Sequence, residues 1–292
     1  SEMKKLTRAR IQKLIDDGLV LLNDMSAKAS HKVRKGDTVS VEVPAPQKHV
    51  AVAEDIPLNV IYEDGDIIVV NKSPDMVVHP AHGNWKGTLV NALLSHCNDL
   101  SGVGGELKPG IVHRLDRGTS GVIVAAKNDR SHVGLCKQFK DRKVLKIYRA
   151  LVLGSVKKDE GVIESPIGRS VRDRKKFSSH TAKGRIAKTQ WKVDKRFDGD
   201  LTLLEITLHT GRTHQIRVHF AEAGYPLVGD TVYGSKGHLK RVTDPERRRM
   251  VEEFHRPALH AARIGFHHPG KGTWVEFEAP LPDDIKGLLK RL

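Results

Sequence analysis

Gly110-Ile111-Val112-His113-Arg114-Leu115-Asp116-Arg117-Gly118-Thr119-Ser120-Gly121 is the stretch on which the reading of this chain turns. Ile111 and Val112 signal a short apolar strand that runs into a charged loop carrying one carboxylate, Asp116. Gly118 and Gly121 allow a tight turn, and the apolar run 122–126 carries the chain back. The pattern sets Asp116 at a connection between two buried strands, flanked by Arg114 and Arg117. A carboxylate among cations stays charged and is a weak base, which suits a nucleophile or charge stabiliser better than a proton donor. Alone, such a stretch is more often a surface ion pair contributing ~0–1 kcal/mol. The rest of the chain has to decide.

Composition narrows the partner. The chain has 292 residues, 38% of them apolar, enough for one large core and a small satellite domain. Fifty Lys and Arg against 35 Asp and Glu give a net charge of +15, which points to a polyanion. No apolar run approaches the ~20 residues needed to span a bilayer, and no segment has signal-peptide layout, so nucleic acid is favoured over a membrane. Aromatic residues make up only 5%, with Trp85, Trp191 and Trp274 far apart. That favours contacts to phosphate and folded RNA shape over a platform of stacked bases. Cys97 and Cys136 are isolated, which fits a reducing cytoplasm and gives no zinc motif. The histidines, including His255, His260, His267 and His268, lack the spacing of a metal helix, so neither a metal nor a cofactor is expected.

Three parts are legible along the chain. Residues 1–43 form a small basic unit. Ile11, Leu14, Ile15 and Leu19 recur at helical spacing, with Arg8, Arg10 and Lys13 on the other face as RNA-contact candidates. Gly18 ends that helix, and a short strand and turn follow over 20–24. Residues 44–55, with Pro44 and Pro46, read as a linker. Residues 56–292 read as one strand-rich mixed domain, with strands at 67–71, 122–126, 148–153, 189–194, 201–208 and 273–278. Helices are expected at 89–96, 129–139, 213–223 and 247–254. Gly265 to Lys271 has phosphate-loop spacing, but Gly272 and a strand follow it instead of Ser or Thr and a helix.

Two further stretches carry chemistry. In His209-Thr210-Gly211-Arg212-Thr213-His214-Gln215-Ile216-Arg217, Thr213 is expected to cap a helix, with Arg212 near its start and Arg217 a turn further in. An arginine at a fixed place on a helix can pair with a carboxylate and orient it; a phosphate clamp or structural salt bridge is equally open. In Lys146-Ile147-Tyr148-Arg149-Ala150, alternation puts Tyr148 and Ala150 on one strand face. A tyrosine there can stack on a base and relay a proton, or it can be a core residue. Arg172, Arg174, Lys175 and Lys176 belong to a basic run suited to phosphate contact or to a solvated loop.

The His-Arg-Leu-Asp-x-x-Thr-Ser-Gly pattern resembles the catalytic signature of RNA pseudouridine synthases of the RluA/RluD family. Lys146-Ile147-Tyr148 and the 209–219 stretch resemble that family's second and third motifs, in family order. So do Val78 to Gly83 with Gly87 to Leu93, Pro226 to Asp230 with Tyr233-Gly234, and Arg256 to Ala261. Residues 1–43 resemble an S-four-type RNA-binding domain in shortened form. The resemblance implies an α+β fold with a mixed, mainly antiparallel sheet in the catalytic domain, and isomerisation of uridine in RNA. The RNA it implies is that of the large ribosomal subunit, with transfer RNA as the alternative; the isolated thiols lead us to expect a cytoplasmic protein, and nothing in the sequence demands more than a monomer. The resemblance also implies Asp116 at the reacting ribose, Tyr148 against the base, Arg217 pairing with Asp116, and Arg114 in the space left by an extruded base. Arg212 and His214 would contact RNA. Two competing readings are a non-catalytic RNA-binding or ribosome-assembly factor and a hydrolase using Ser120, His113 and Asp116. The crowding of those three within eight residues counts against the hydrolase.

Overall fold

The computed structural model describes residues 6–44, 50–81, 83–97, 99–171, 173, 176–181, 183–234 and 236–292. It divides into two compact units, Ser1–His49 and Val50–Leu292.

In the first unit, helix α1 (Arg8–Asp16) starts at Thr7, whose hydroxyl accepts from the Arg10 amide. Gly18 leaves the helix at a φ of 75°, where a side chain would be strained. Strands β1 (Val20–Leu22), β2 (Met25–Ser26) and β3 (Val39–Val41) form a sheet in the order β2-β1-β3. Asn23 and Asp24, both at positive φ, make the tight β1–β2 hairpin. Asn23 also joins that hairpin to the chain before β3, donating to Asp37 and accepting from the Thr38 amide. Leu14 is the buried anchor of α1, while Arg8 and Lys13 are exposed and Arg10 half-exposed.

The second unit begins with β4 (Val60–Glu63), β5 (Ile67–Lys72), α2 (Leu89–His96), β6 (Ser120–Ala126), α3 (Asp129–Lys140) and β7 (Leu145–Leu153). It continues through β8 (Glu160–Arg169), β9 (Phe177–Ser178), β10 (Arg185–Phe197), β11 (Leu201–Leu208) and α4 (Gln215–Glu222). It ends with α5 (Lys236–Leu239), α6 (Pro245–Glu252), β12 (Leu259–His267), β13 (Trp274–Glu278) and α7 (Asp283–Arg291). Ten strands make one sheet in the order β4-β5-β6-β12-β7-β11-β10-β8-β9, with β13 on β12. All pairings are antiparallel except β6 with β12.

β5 and β6 are the apolar runs the sequence marked, and both are almost wholly buried. Each such aliphatic side chain contributes ~1.5–3 kcal/mol by leaving water. α2 carries a capping box between Thr88 and Asn91, which fixes where the chain turns onto the sheet.

The first segment of the opening motif differs from expectation. Ile111 makes only an isolated bridge to Ala125, so Asp116 sits in a long loop ahead of β6 and not between two strands. Gly121 lies inside β6, not in the turn. A Cβ there would sit 2.2 Å from the Ala261 carbonyl oxygen, so glycine is required where β6 meets β12. The 213–223 helix is shorter and starts differently: His214, at a φ of 56°, occupies its N-cap with no side-chain cap bond, and Thr213 does not cap it. The helix read at 247–254 is α6, begun earlier by Asp244 as cap and Pro245 at its first position. Two long strands, β8 and β12, fall outside the sequence expectation. The 265–271 phosphate-loop look-alike is the end of β12 and its turn into β13.

Candidate active site

A cavity of about 560 Å³ opens where the Asp116 loop, the end of α3, β7 and the β11–α4 connection converge. That volume is in the range of small-molecule and nucleotide sites. Its lining brings together Asp116, Tyr148 and Arg217, residues that are distant in sequence, along with Arg114, Arg212 and His214. Seven Lys and Arg side chains line it against one carboxylate, Asp116, among the described residues.

The Asp116 loop is held by its backbone. The Thr119 amide donates to the Asp116 carbonyl, and Gly118, at a φ of 83°, turns the chain between them. The Gly118 amide donates to the Pro74 carbonyl, and the Gly118 carbonyl accepts from Arg256 at 2.9 Å. Arg256 is itself held by donating two bonds to the Asp284 carboxylate at the start of α7, at 2.6 and 2.7 Å. Under the loop, the buried Lys72 donates its ammonium to the carbonyls of Ser73 and Met76 at 2.6 and 2.8 Å. Burial, and then the charge of Arg256, pull its pKa down to about 7, against the attraction of Asp116 and Asp75. Thr119, on the cavity lining close to Asp116 in the chain, buries its hydroxyl without a partner among the described residues.

Arg217 shows a division of labour that the sequence did not reveal. Its Nε and one terminal nitrogen donate to the two Asp230 oxygens at 2.6 and 2.8 Å, and both side chains are buried. Asp230 is pre-set by the Val232 and Tyr233 amides. Burial opposes the Arg217 charge, but the Asp230 bonds outweigh it, and its pKa lies above the usual value; Asp116 adds to this through space. The fork expected for Asp116 is thus given to Asp230, and Asp116 interacts with Arg217 at longer range. Tyr233 completes the group. The Arg217 guanidinium lies 5.0 Å from its ring centre, and its hydroxyl accepts from the Phe177 amide and bonds His214 Nδ1 at 2.8 Å.

Tyr148 is buried on β7, and burial, reinforced by Asp116, raises its pKa so that it stays a neutral phenol. His214 is pushed down by burial, with Asp116 pulling the other way. His113 lines the cavity but is structural. Its ring stacks on Phe139 at 4.6 Å, its Nε2 accepts from the Val124 amide, and burial takes its pKa to about 3. Ser120 is buried and bonds His260 at 3.0 Å, so the Ser120–His113–Asp116 hydrolase arrangement is not formed.

The remaining candidates lie elsewhere. Lys176 is exposed and outside the cavity lining, and Arg172, Arg174 and Lys175 fall outside the described residues. Arg8, Arg10 and Lys13 are on α1 of the first unit. Two clusters of possible metal donors occur away from the cavity: Glu63, His96 and Cys97, and Asp64, Asp66 and His268. Lys127 and His96 already bond Glu63, and Lys271 and Tyr62 already bond Asp64. No helix of the described residues is long and apolar enough to cross a membrane.

Known proteins resemble this chain over most of its length. Residues 66–222 match the family described as RNA pseudouridylate synthase. An uncharacterized RNA pseudouridine synthase of Bacillus subtilis is 45% identical over 98% of this chain and 89% of its own length. The ribosomal large subunit pseudouridine synthase D of Neisseria meningitidis serogroup A is 44% identical, covering 98% of this chain and 75% of its own. Among solved structures, human RNA pseudouridylate synthase domain containing 1 superposes with a TM-score of 0.60 at 24% identity, over 80% of this chain and 87% of that one. That last match supports the α+β fold alone.

Proposed function

Because the chain belongs to the RNA pseudouridine synthase family and is thus an RNA-directed isomerase, we propose that it converts uridines of large-subunit ribosomal RNA by extruding each into the Asp116 cavity. The observation that carries this reading is one carboxylate, Asp116, on a backbone-clamped loop in a cavity that seven Lys and Arg side chains also line. A stacked base cannot rotate, so the uridine must leave the helix first. Arg114 then fills the vacated position. The bond from ribose C1′ to uracil N1 breaks, the ring turns, and C1′ bonds C5. The C5 proton is lost and N1 gains one, so no net oxidant or cofactor is consumed.

Asp116 acts at the ribose, by attack on C1′ or by removal of the neighbouring ribose proton. Tyr148, a neutral phenol, stacks on the uracil and offers its oxygen near the proton that leaves C5. Arg217, fixed by Asp230, supplies positive charge close to Asp116. The ribosomal substrate is suggested by relatives named for the large subunit. The first unit, with Arg8, Arg10 and Lys13 on α1, serves as an S-four-type RNA-binding domain on the same strand. We place the enzyme in the cytoplasm as a monomer, with two unpaired cysteines.

The test is pseudouridine mapping by carbodiimide primer extension on protein-free large-subunit ribosomal RNA. Wild type should give new stops at defined uridines. Asp116→Asn should lower turnover at least ~10³-fold, as loss of a central catalytic group does, while RNA affinity stays within about threefold. Stops that persist with Asp116→Asn would remove Asp116 from the reaction. Stops on transfer RNA only would move the substrate.

A further inference from the structure

Elsewhere on the cavity lining, cations from four parts of the chain converge, and Asp116 is the lining's one carboxylate among the described residues. Arg142 follows α3, Lys146 lies on β7, Arg185 opens β10, and Arg212 lies in the β11–α4 connection. None of the four has an ion pair among the described residues; the nearest polar partner of the Arg212 guanidinium is the Ile186 carbonyl, at 3.4 Å. They feel one another instead. Burial and then Arg185 and Arg142 lower Arg212, and burial and then Arg142 lower Lys146 to about 8.

Arg142 adds a second, independent sign. It sits at a φ of 58° just after the α3 C-cap Asp141, with the Lys143 amide closing back on Gln138. That left-handed position is favoured for glycine or asparagine, and a long side chain there costs about 1 kcal/mol. The helix dipole welcomes one cation at this end, which accounts for part of Arg142. It does not account for Lys146, Arg185 and Arg212 arriving from other elements. A like-charge cluster that folding leaves unpaired is relieved by an anion from outside.

We propose that Arg142, Lys146, Arg185 and Arg212 form a phosphodiester subsite that grips the backbone next to the extruded uridine, so that the strand is taken up by its phosphate on this one side. The subsite rests on the cavity's reading as an RNA site. Its role is to pay part of the cost of unstacking before Asp116 meets the ribose. A free nucleoside, with no phosphodiester, gains nothing from it.

The experiment uses the full chain and a uridine trinucleotide with ordinary phosphodiester linkages, against the same trinucleotide with neutral methylphosphonate linkages, by isothermal titration. Wild type should prefer the charged one by about tenfold or more, the worth of charged hydrogen bonds at an ~1.5 kcal/mol contact. Arg142→Gln with Arg185→Gln, both exposed positions, should erase most of that preference with unchanged melting. Arg142→Lys with Arg185→Lys should keep most of it. Full preference in the Gln pair, no preference in wild type, or no binding of the charged trinucleotide at millimolar concentration would each overturn the subsite. Loss of uridine conversion alongside intact phosphate preference would strike the catalytic reading and leave the subsite standing.

Discussion

Behind Asp116, Arg217 and Arg256 each hold a carboxylate by two bonds, Asp230 and Asp284, whereas elsewhere on the cavity lining Arg142, Lys146, Arg185 and Arg212 hold none among the described residues. The same residue types therefore do two jobs within one cavity. A paired cation is geometrically fixed and neutral as a unit, so it can position a loop or a second charge without attracting RNA. An unpaired one is held only by its element and keeps its field for a ligand. Partner, not residue type, is what separates the two sets of cations. It also accounts for Asp116 keeping its carboxylate free of the Arg217 fork in a chain of net charge +15.

The comparison breaks most severely at Asp230. Asp230→Asn leaves Arg217 buried with half of its fork unanswered and removes the charge that offsets it. Unpairing a buried ion pair costs about 3–5 kcal/mol, so the unfolding free energy from urea denaturation should fall by that amount. Turnover should also fall, because Arg217 is then drawn to Asp116. Arg142→Gln, which removes a charge that has no ion pair among the described residues, should leave stability within ~0.5 kcal/mol. Equal losses in the two variants would erase the distinction between the walls.

This pair was the part of the site hardest to read in the sequence. Asp116, Tyr148 and Arg217 each stood in a stretch whose residue types and order could be recognised, and the structure brings all three to one cavity. Asp230 and Arg256 have no role legible in the sequence, because their partners, Arg217, Asp284 and Gly118, are distant along the chain; Lys72 bonds local carbonyls, but its burial beneath the Asp116 loop is a tertiary fact. Lys72 did leave a trace: a lone cation closing the apolar run 67–70, one residue before Ser73-Pro74. The fold divides in the same way. β5, β6 and β11 are apolar runs bounded by turn residues and were legible as strands. β8 contains Gly161, Pro166 and Gly168, and β12 is diluted by Ala261, Ala262 and Gly265, so neither has a clear strand pattern. In β12, Gly265 is a tertiary requirement, since a Cβ there would sit 2.7 Å from the Trp274 ring, just as Gly121 in β6 is required by the backbone of Ala261. Local propensity carries no sign of such a contact.

The second arginine pair offers a gentler break. Asp284→Asn weakens the hold on Arg256 and, through it, on the Gly118 carbonyl. Asp284 is well exposed, so the loss in stability should stay below about 1 kcal/mol. The Asp116 loop should nevertheless lose its fixed geometry, and single-turnover rates should drop roughly tenfold with the RNA dissociation constant nearly unchanged. Arg249→Gln, which removes an exposed ion pair to Glu253 on α6, is the control and should alter neither. A rate unchanged in Asp284→Asn would show that Gly118 is held well enough by Pro74 alone.

Lys72 supplies the smallest effect and the finest contrast, because it is a cation on the paired wall that has no carboxylate of its own. Two carbonyls receive its ammonium, and burial together with Arg256 brings its pKa from the ordinary lysine value to about 7. In the unfolded chain the same group keeps its proton up to about pH 10. Between those limits the unfolded state binds more protons than the folded one, so stability rises as pH rises through this window. From pH 7 to 8 the gain should be about 1 kcal/mol. Lys72→Met, similar in length and without the charge, should flatten that increment when the two proteins are compared by urea denaturation at each pH. A wild-type slope that survives in Lys72→Met would assign the titration to another group and leave Lys72 charged across the range. Carbonyl dipoles would then hold a cation beside Asp116 as firmly as Asp230 holds Arg217, and the paired wall would not need carboxylates to be a positioning wall.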